Sequence, residues 1–270
     1  MPEVFAVALA SMHQDMARVD RVAQNLANAT TPGYRREVTV SRSFADALAS
    51  AAGVSQSARP EPVEGRAVGS TVPGKLSDAG AVGVLLDTRP GTLRITAQPL
   101  DLAIEGEGYF EVATDTGRAY TRAGAFQLDA RGRLVTPQGF PVLGTDGEIV
   151  LTTRTPAIDP AGRITEPDAA SGPARTPDAA VAQLRIVRFS ENATLRNTGG
   201  GLLECDEPPD AIEQASVRVR QGALENANVS SAREMVHLME TVRHFETMQR
   251  VVQGYDELIA TSIRKLGDLG

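Results

Sequence analysis

One cysteine and no tryptophan occur in this chain of 270 residues, and aromatic residues make up only 4% of it. Cys205 has no second cysteine with which to close a disulfide, so the fold is not a small stapled scaffold. Scarce aromatics remove the flat, bulky side chains that anchor deep ligand pockets, and a pocket is not the default expectation. Positive charge is short as well: 27 Lys and Arg stand against 34 Asp and Glu, for a net charge of -7. A chain with that balance is not built to neutralise phosphates, which argues against nucleic acid as a partner. No stretch approaches the roughly 20 apolar residues of a membrane-crossing helix, so the chain is not expected to span a membrane. Its first residues, Met-Pro-Glu-Val-Phe-Ala-Val-Ala-Leu-Ala, lack a basic opening and are soon interrupted by His13, Gln14, Asp15 and Arg18, so no cleaved signal peptide is expected.

What is present is periodicity of two kinds. Phe5, Leu9, Met12, Met16, Val19, Ala23 and Leu26 recur at spacings of four and three, the heptad seam of a helix that packs on other helices. Thr31, Pro32 and Gly33 follow, and the proline ring pushes the residue before it out of helical geometry, so the helix is expected to stop near Ala29. At the other end Met235, Leu238, Val242, Phe245, Val252, Ile259, Ile263 and Leu266 share one helical face, with Gln249 and Asp256 as polar interruptions. That helix is expected to start near Val229, capped by Ser230 or Ser231, with Glu234 completing a capping box.

Between the helices the period falls to two, with Leu100, Leu102 and Ile104 against Asp101, Ala103 and Glu105, and Phe126 and Leu128 against Gln127 and Asp129. Turn signals such as Asp129-Ala130-Arg131-Gly132 and Thr136-Pro137-Gln138-Gly139 punctuate these strands. The fold class expected is α+β: N- and C-terminal amphipathic helices packing as a coiled-coil-like pair, with a central, mainly antiparallel β domain. In residue terms that is an N-terminal helix and turn over 1–44, an extended arm over 45–84, the β domain over 85–220, and the C-terminal helix over 221–270. Residues 155–182 are poor in large apolar side chains and read as a loose insertion with one hairpin, Ala157 to Thr165, and no packed core.

The seam of the first helix has a physical consequence. Its apolar residues yield about 1.5–3 kcal/mol each only when a partner buries them, while ordering the backbone costs about 1–2 kcal/mol per residue. Both terminal segments are therefore expected to be largely disordered in a lone chain and to become helical on packing together and against neighbours.

The run Asn25-Leu26-Ala27-Asn28-Ala29-Thr30-Thr31-Pro32-Gly33-Tyr34-Arg35 closely resembles the signature of bacterial flagellar rod and hook proteins. The resemblance continues through Gln98-Pro99-Leu100-Asp101-Leu102-Ala103-Ile104, then Gly106, Gly108, Tyr109 and Phe110, and Tyr120-Thr121-Arg122-Ala123-Gly124-Ala125-Phe126. It resumes at Gly222-Ala223-Leu224-Glu225-Asn226-Ala227-Asn228-Val229 and at Glu234, Met235, Val236, Arg243, Phe245 and Glu246. Arg243-His244-Phe245-Glu246 and the short β region look more like the proximal-rod branch of the basal-body rod family than the distal-rod one. The resemblance implies a structural subunit that polymerises through its terminal helices, with itself and other rod subunits, into the shaft that crosses the periplasm and transmits torque. It also implies delivery by the flagellar export apparatus without a cleaved leader, and a helix break at Thr31, Pro32, Gly33 and Tyr34 where the chain leaves the inner helical tube. Asn25 and Asn28 read as interfacial hydrogen-bonding residues. A distal-rod or hook-type axial protein is the alternative within the family.

Catalytic arrangements compete with that reading. Asp101, Glu105 and Glu107 lie close in sequence and would serve a small hydrolytic enzyme, but a solvated strand face and turn explains them as well. Glu105-Gly106-Glu107-Gly108 is not a dinucleotide loop, because Tyr109, Phe110 and Val112 read as strand where a helix is needed. His13, His237 and His244 lack a zinc spacing with Cys205, and Cys205 itself stands beside Asp206 and Glu207 rather than a positive group. Ser190 and Ser216 show no pairing with a base. No catalytic residue, cofactor or metal is assigned.

Overall fold

The computed structural model describes residues 2–40, 83–166, 180–190, 193–211 and 218–267. Helix α1 is Pro2–Ala27 and helix α2 is Ser231–Gly267, and the described residues between them form short, antiparallel strands, the α+β class. The chain divides into two compact units. One comprises Met1–Val22, Val38–Leu85 and Val236–Gly270; the other comprises Ala23–Glu37 and Leu86–Met235. Each helix is thus shared, with the last turn of α1 and the first turn of α2 belonging to the second unit. The arm over 45–82 and Ser216 lie outside the described residues.

The second unit is built on a six-stranded antiparallel sheet, in the order Leu195–Gly199, Leu202–Cys205, Gly117–Thr121, Tyr109–Thr114, Ile186–Arg188 and Asp210–Ala211. One face carries the main core, where Phe110 and Val112 meet Leu102, Ile104, Phe126, Leu134, Val142 and Ile149. Phe110 and Phe126 contact edge to face, ring centroids 5.2 Å apart, the arrangement that sets a ring's positive edge against its neighbour's negative face. The other face carries a smaller cluster of Tyr109, Tyr120, Val187 and Leu203.

Two sequence expectations are corrected here. Leu102, Ala103 and Ile104 are all buried in the strand Leu102–Glu105, so the alternation inferred from Leu100 to Glu105 does not separate an inner from an outer face. The strand is covered on both sides, with Arg218–Gln221 paired along it. The insertion over 155–182 also contributes to the core. Its hairpin, Ala157–Ile158 against Arg163–Thr165, forms as expected, but Ala182–Gln183 adds a third strand and Ile158 and Ile164 pack into the main cluster. Ile158 and Ile164 anchor the described part of this segment; residues 167–179 lie outside the described residues.

Along α1 the buried line is Ala8, Asp15 and Val22, with Met12, Val19 and Leu26 half-buried. Leu9 and Met16 are 46% and 56% exposed, and Ala23 is exposed. At 3.6 residues per turn, the second set lies about 60–100° round the helix from the first. The heptad pattern therefore contains two neighbouring stripes, of which the chain itself covers one. In α2 Leu238, Phe245 and Val252 are half-buried beside buried Thr241, whereas Met235, Met239 and Val242 form an exposed stripe. The side chains of Phe5, Ile259, Ile263 and Leu266 lie outside the described residues.

Candidate functional site: a buried polar clamp

The second unit joins the two chain ends at one place. Helix α1 ends at Ala27, and the chain leaves through tight turns ahead of Pro32, with Ala29 N–H on Leu26 O and Thr31 N–H on Asn28 O; Pro32, with no N–H to donate, keeps the helix from resuming. Asn28 closes the helix end with its own amide, donating to Gln24 O at 2.9 Å and accepting from Thr31 Oγ1. Gly33 follows at φ +69°, and a Cβ there would overlap the backbone of Arg122 and Ala123. Only glycine allows that approach, and it delivers the Gly33 N–H to Glu225 O at 2.7 Å.

From this turn a network runs to the start of α2. Asn25 is 1% exposed. Its Oδ1 accepts from Glu37 N–H at 2.9 Å and from the Tyr34 hydroxyl at 3.1 Å. Its Nδ2 donates to Glu37 O at 2.8 Å and to Glu234 Oε2 at 3.3 Å. Glu234 also accepts from Arg36 Nε at 2.6 Å. Asn228 ties the layer together: its Oδ1 accepts from Arg36 N–H, and its Nδ2 donates to the carbonyls of Asp87 and Arg89. The carboxyl of Asp87 is in turn held below its ordinary value by the hydrogen bond from the Arg89 guanidinium.

A second layer centres on Glu225, 1% exposed, which accepts from Arg35 Nη1 at 2.6 Å, Gly91 N–H at 2.8 Å and Arg122 Nη1 at 3.3 Å. Gly91 has no room for a Cβ, which would overlap Asn226 O. Arg122 also donates to the carbonyls of Ile104 and Gly106. Burial pushes the Arg122 guanidinium down from its ordinary value, and the Glu225 carboxylate works against that shift. A buried ion pair is costly to break, because each partner left alone is a charge without solvent. The clamp therefore fixes one arrangement of the turn after α1 against the segment before α2.

Several expectations change at this site. Asn25 spends its amide inside its own chain rather than on a neighbour. Glu234 gives its carboxylate to Arg36 and Asn25, so it does not complete a capping box at the start of α2. Thr31, Pro32, Gly33 and Tyr34 do form the break, and Tyr34 is also a buried member of the clamp. The expected acids do not gather: Glu105 pairs with Arg220 at 3.3 Å, Glu107 lies 4.0 Å from Arg188, and no metal-binding group of His, Cys, Asp and Glu forms among the described residues. Burial raises the Cys205 thiol, which disfavours the thiolate a nucleophile needs. His237 contacts Glu240, while His244 Nδ1 lies 2.6 Å from Asp15 Oδ2, a bond between α2 and α1 within the first unit. Composition pointed to none of Arg36, Glu37 or Asn228 as members of a site; the only signals were acids and amides set among otherwise apolar or small residues.

These features define a class: an α+β protein whose two terminal helices are locked together where one ends and the other begins, with apolar stripes left over on both. Residues 103–171 match the flagellar hook protein FlgE/F/G D1 domain, and residues 220–265 match the C-terminal region of flagellar basal-body rod FlgEFG proteins. The chain is 30% identical over 268 residues to the flagellar basal-body rod protein FlgF of Salmonella typhimurium, covering 95% of each chain. It is 28% identical to FlgF of Escherichia coli K12, again over 95% of each, and 28% identical to FlgG of Bacillus subtilis over 93% of this chain and 94% of that one. The chain belongs to the flagellar basal-body rod protein family, a family of structural subunits. The clamp residues Arg35, Arg122, Glu225 and Glu234 fall in or beside the sequence runs that carry this likeness.

Proposed function

We propose that the protein is a non-enzymatic subunit of the proximal part of the flagellar rod, polymerising with itself and other axial subunits through its terminal helices into the torque-transmitting shaft of the basal body. The observation that carries this reading is the pair of uncovered stripes. Leu9 and Met16 on α1, and Met235, Met239 and Val242 on α2, are 41–56% exposed although they are large and apolar. The faces that hold Met12, Val19, Leu238, Phe245 and Val252 pack within the chain as a coiled-coil-like pair, with the Asp15–His244 bond as one support. The stripes beside them meet neighbouring subunits. Head-to-tail contacts whose rotation does not close into a ring extend into a helical filament, which suits a shaft.

The clamp has a mechanical role in this reading, since a joint held by buried ion pairs and hydrogen bonds transmits load without the slack of a flexible linker. Export through the flagellar apparatus without a cleaved leader, and a place in the rod as it crosses the periplasm, belong to the same reading. The run Arg243-His244-Phe245-Glu246 and the short β region favour the proximal position over a distal-rod or hook-type one. The test is removal of residues 2–22 in a motile strain. The shortened protein should remain soluble while rods fail to assemble and motility is lost; normal motility would sink the reading.

A further inference from the structure

Methionine is placed unevenly in this chain. Of its six methionines, all but Met1 lie on the two terminal helices, Met12 and Met16 on α1 and Met235, Met239 and Met248 on α2, and none occurs between Ala17 and Glu234. Every strand is therefore built without a thioether, and the β core is filled mainly by leucine, isoleucine, valine and phenylalanine. Met16, Met235 and Met239 are each more than half exposed, while Met12 and Met248 are half-buried. Met235 and Met239 stand about one turn apart on one face of α2, with Val242 next along it, and Met16 follows Leu9 by about two turns of α1. The uncovered stripes are thus where the chain concentrates sulfur that solvent can reach.

A thioether differs chemically from the leucine or valine beside it. It is apolar and deformable, and it fills irregular gaps between packed helices. It is also a two-electron reductant. Its sulfur lone pair attacks one oxygen of hydrogen peroxide, an S–O bond forms as the O–O bond breaks, and the proton on the transferred oxygen passes to the departing hydroxide. One thioether and one peroxide give one sulfoxide and one water, with sulfur oxidised and the peroxide reduced. The sulfoxide oxygen is polar, and burying it in an apolar contact without a donor is unfavourable.

We propose that Met16, Met235 and Met239 are modification sites for hydroperoxides on the unassembled subunit, and that their conversion to sulfoxides blocks assembly reversibly. The proposal rests on the stripes being the assembly surface. Once a neighbour covers a stripe, the same sulfurs lie away from solvent, so oxidation selects free subunits over assembled ones. Reversal takes one reductase for each sulfoxide epimer: two thiols are oxidised to a disulfide, and the oxygen leaves as water. Cys205 is a weaker target, being half-buried with its thiol pushed up by burial, which disfavours the reactive thiolate.

The full chain is to be treated as a dilute monomer with hydrogen peroxide, then with dithiothreitol to return any sulfenate or disulfide at Cys205 to the thiol, and assayed by peptide mass spectrometry and by sedimentation of polymer. Sulfoxide is expected several-fold faster at Met16, Met235 and Met239 than at Met12 and Met248, with polymer lost in step and restored by reductases of both epimer specificities. Met16→Leu with Met235→Leu and Met239→Leu keeps the stripes apolar and should assemble as before while resisting peroxide. Oxidised protein that still assembles, equal oxidation at all of these methionines, or a leucine variant as sensitive to peroxide as the original chain would overturn the proposal. Met16→Ser with Met235→Ser and Met239→Ser separates it from the reading beneath it. Failure of the serine variant to assemble, alongside normal assembly of the sulfoxide protein, sinks only the oxidation; normal assembly of the serine variant sinks both.

Discussion

Phe110 and Leu9 are both large apolar residues of one chain, yet Phe110 is fully buried in the β unit and Leu9 stands 46% exposed on α1. Around Phe110 the unit closes on itself: Leu102, Val112 and Val142 have no solvent exposure, and both ends of a linker-like insertion are drawn in. Along α1 the relation is inverted, because a carboxylate, Asp15, is buried while Met16 beside it is exposed. The difference teaches that the two regions answer to different partners. The β unit finds its hydrophobic partners within the chain, and the helices find only part of theirs.

The contrast is sharpened first in the core. Phe110→Ala removes a ring from the closed cluster and should cost about 3–5 kcal/mol of unfolding free energy. Denaturant melts of the β unit would read this directly, and a loss under 1 kcal/mol would mean the core is looser than its burial implies. Next comes the clamp. Glu225→Gln leaves two buried guanidiniums without their carboxylate and should cost about 3 kcal/mol, shown as a lowered Tm with the β signal still cooperative.

A smaller effect is expected at the clamp's rim. Arg89 holds the Asp87 carboxyl below its ordinary value of 3.8, so the folded state binds that proton less readily than the unfolded chain. The resulting stability is present above about pH 4 and lost as pH falls through the lowered value. Arg89→Gln should flatten the acid limb of a stability-against-pH curve below about pH 4 and leave neutral pH nearly unchanged. The smallest effect belongs to the exposed stripe. Leu9→Ser with Met16→Ser should shift the stability of the monomer by no more than about 0.5 kcal/mol, yet stop assembly as judged by sedimentation of polymer. A large loss of monomer stability would show that the stripe is already covered.

Much of this was legible in the sequence, for reasons that differ by element. Both helices were visible because an apolar stripe at period 3.6 survives any choice of partner, and the break at Pro32-Gly33 follows from backbone chemistry alone. Which of two adjacent stripes the chain covers was not legible: Leu9 and Met12 both fit the heptad, and only the packing of Asp15 against His244 shows that Met12 lies toward the covered side. The clamp was harder still. Asn25 and Glu234 stood out as an amide and an acid near helix ends, and local rules assigned them to an interface and a cap. Asn25 meets Glu37 just across the helix break, while Glu234 reaches Asn25 and Arg36 only because the chain returns to the turn after α1. No local spacing encodes that return.

The most direct test is hydrogen exchange on the dilute, monomeric protein. The account predicts strong protection through Tyr109–Thr114 and Gly117–Thr121 and around Asn25 and Glu225, with little across residues 5–22. Equal protection of residues 5–22 in a particle confirmed to be a single copy would contradict it.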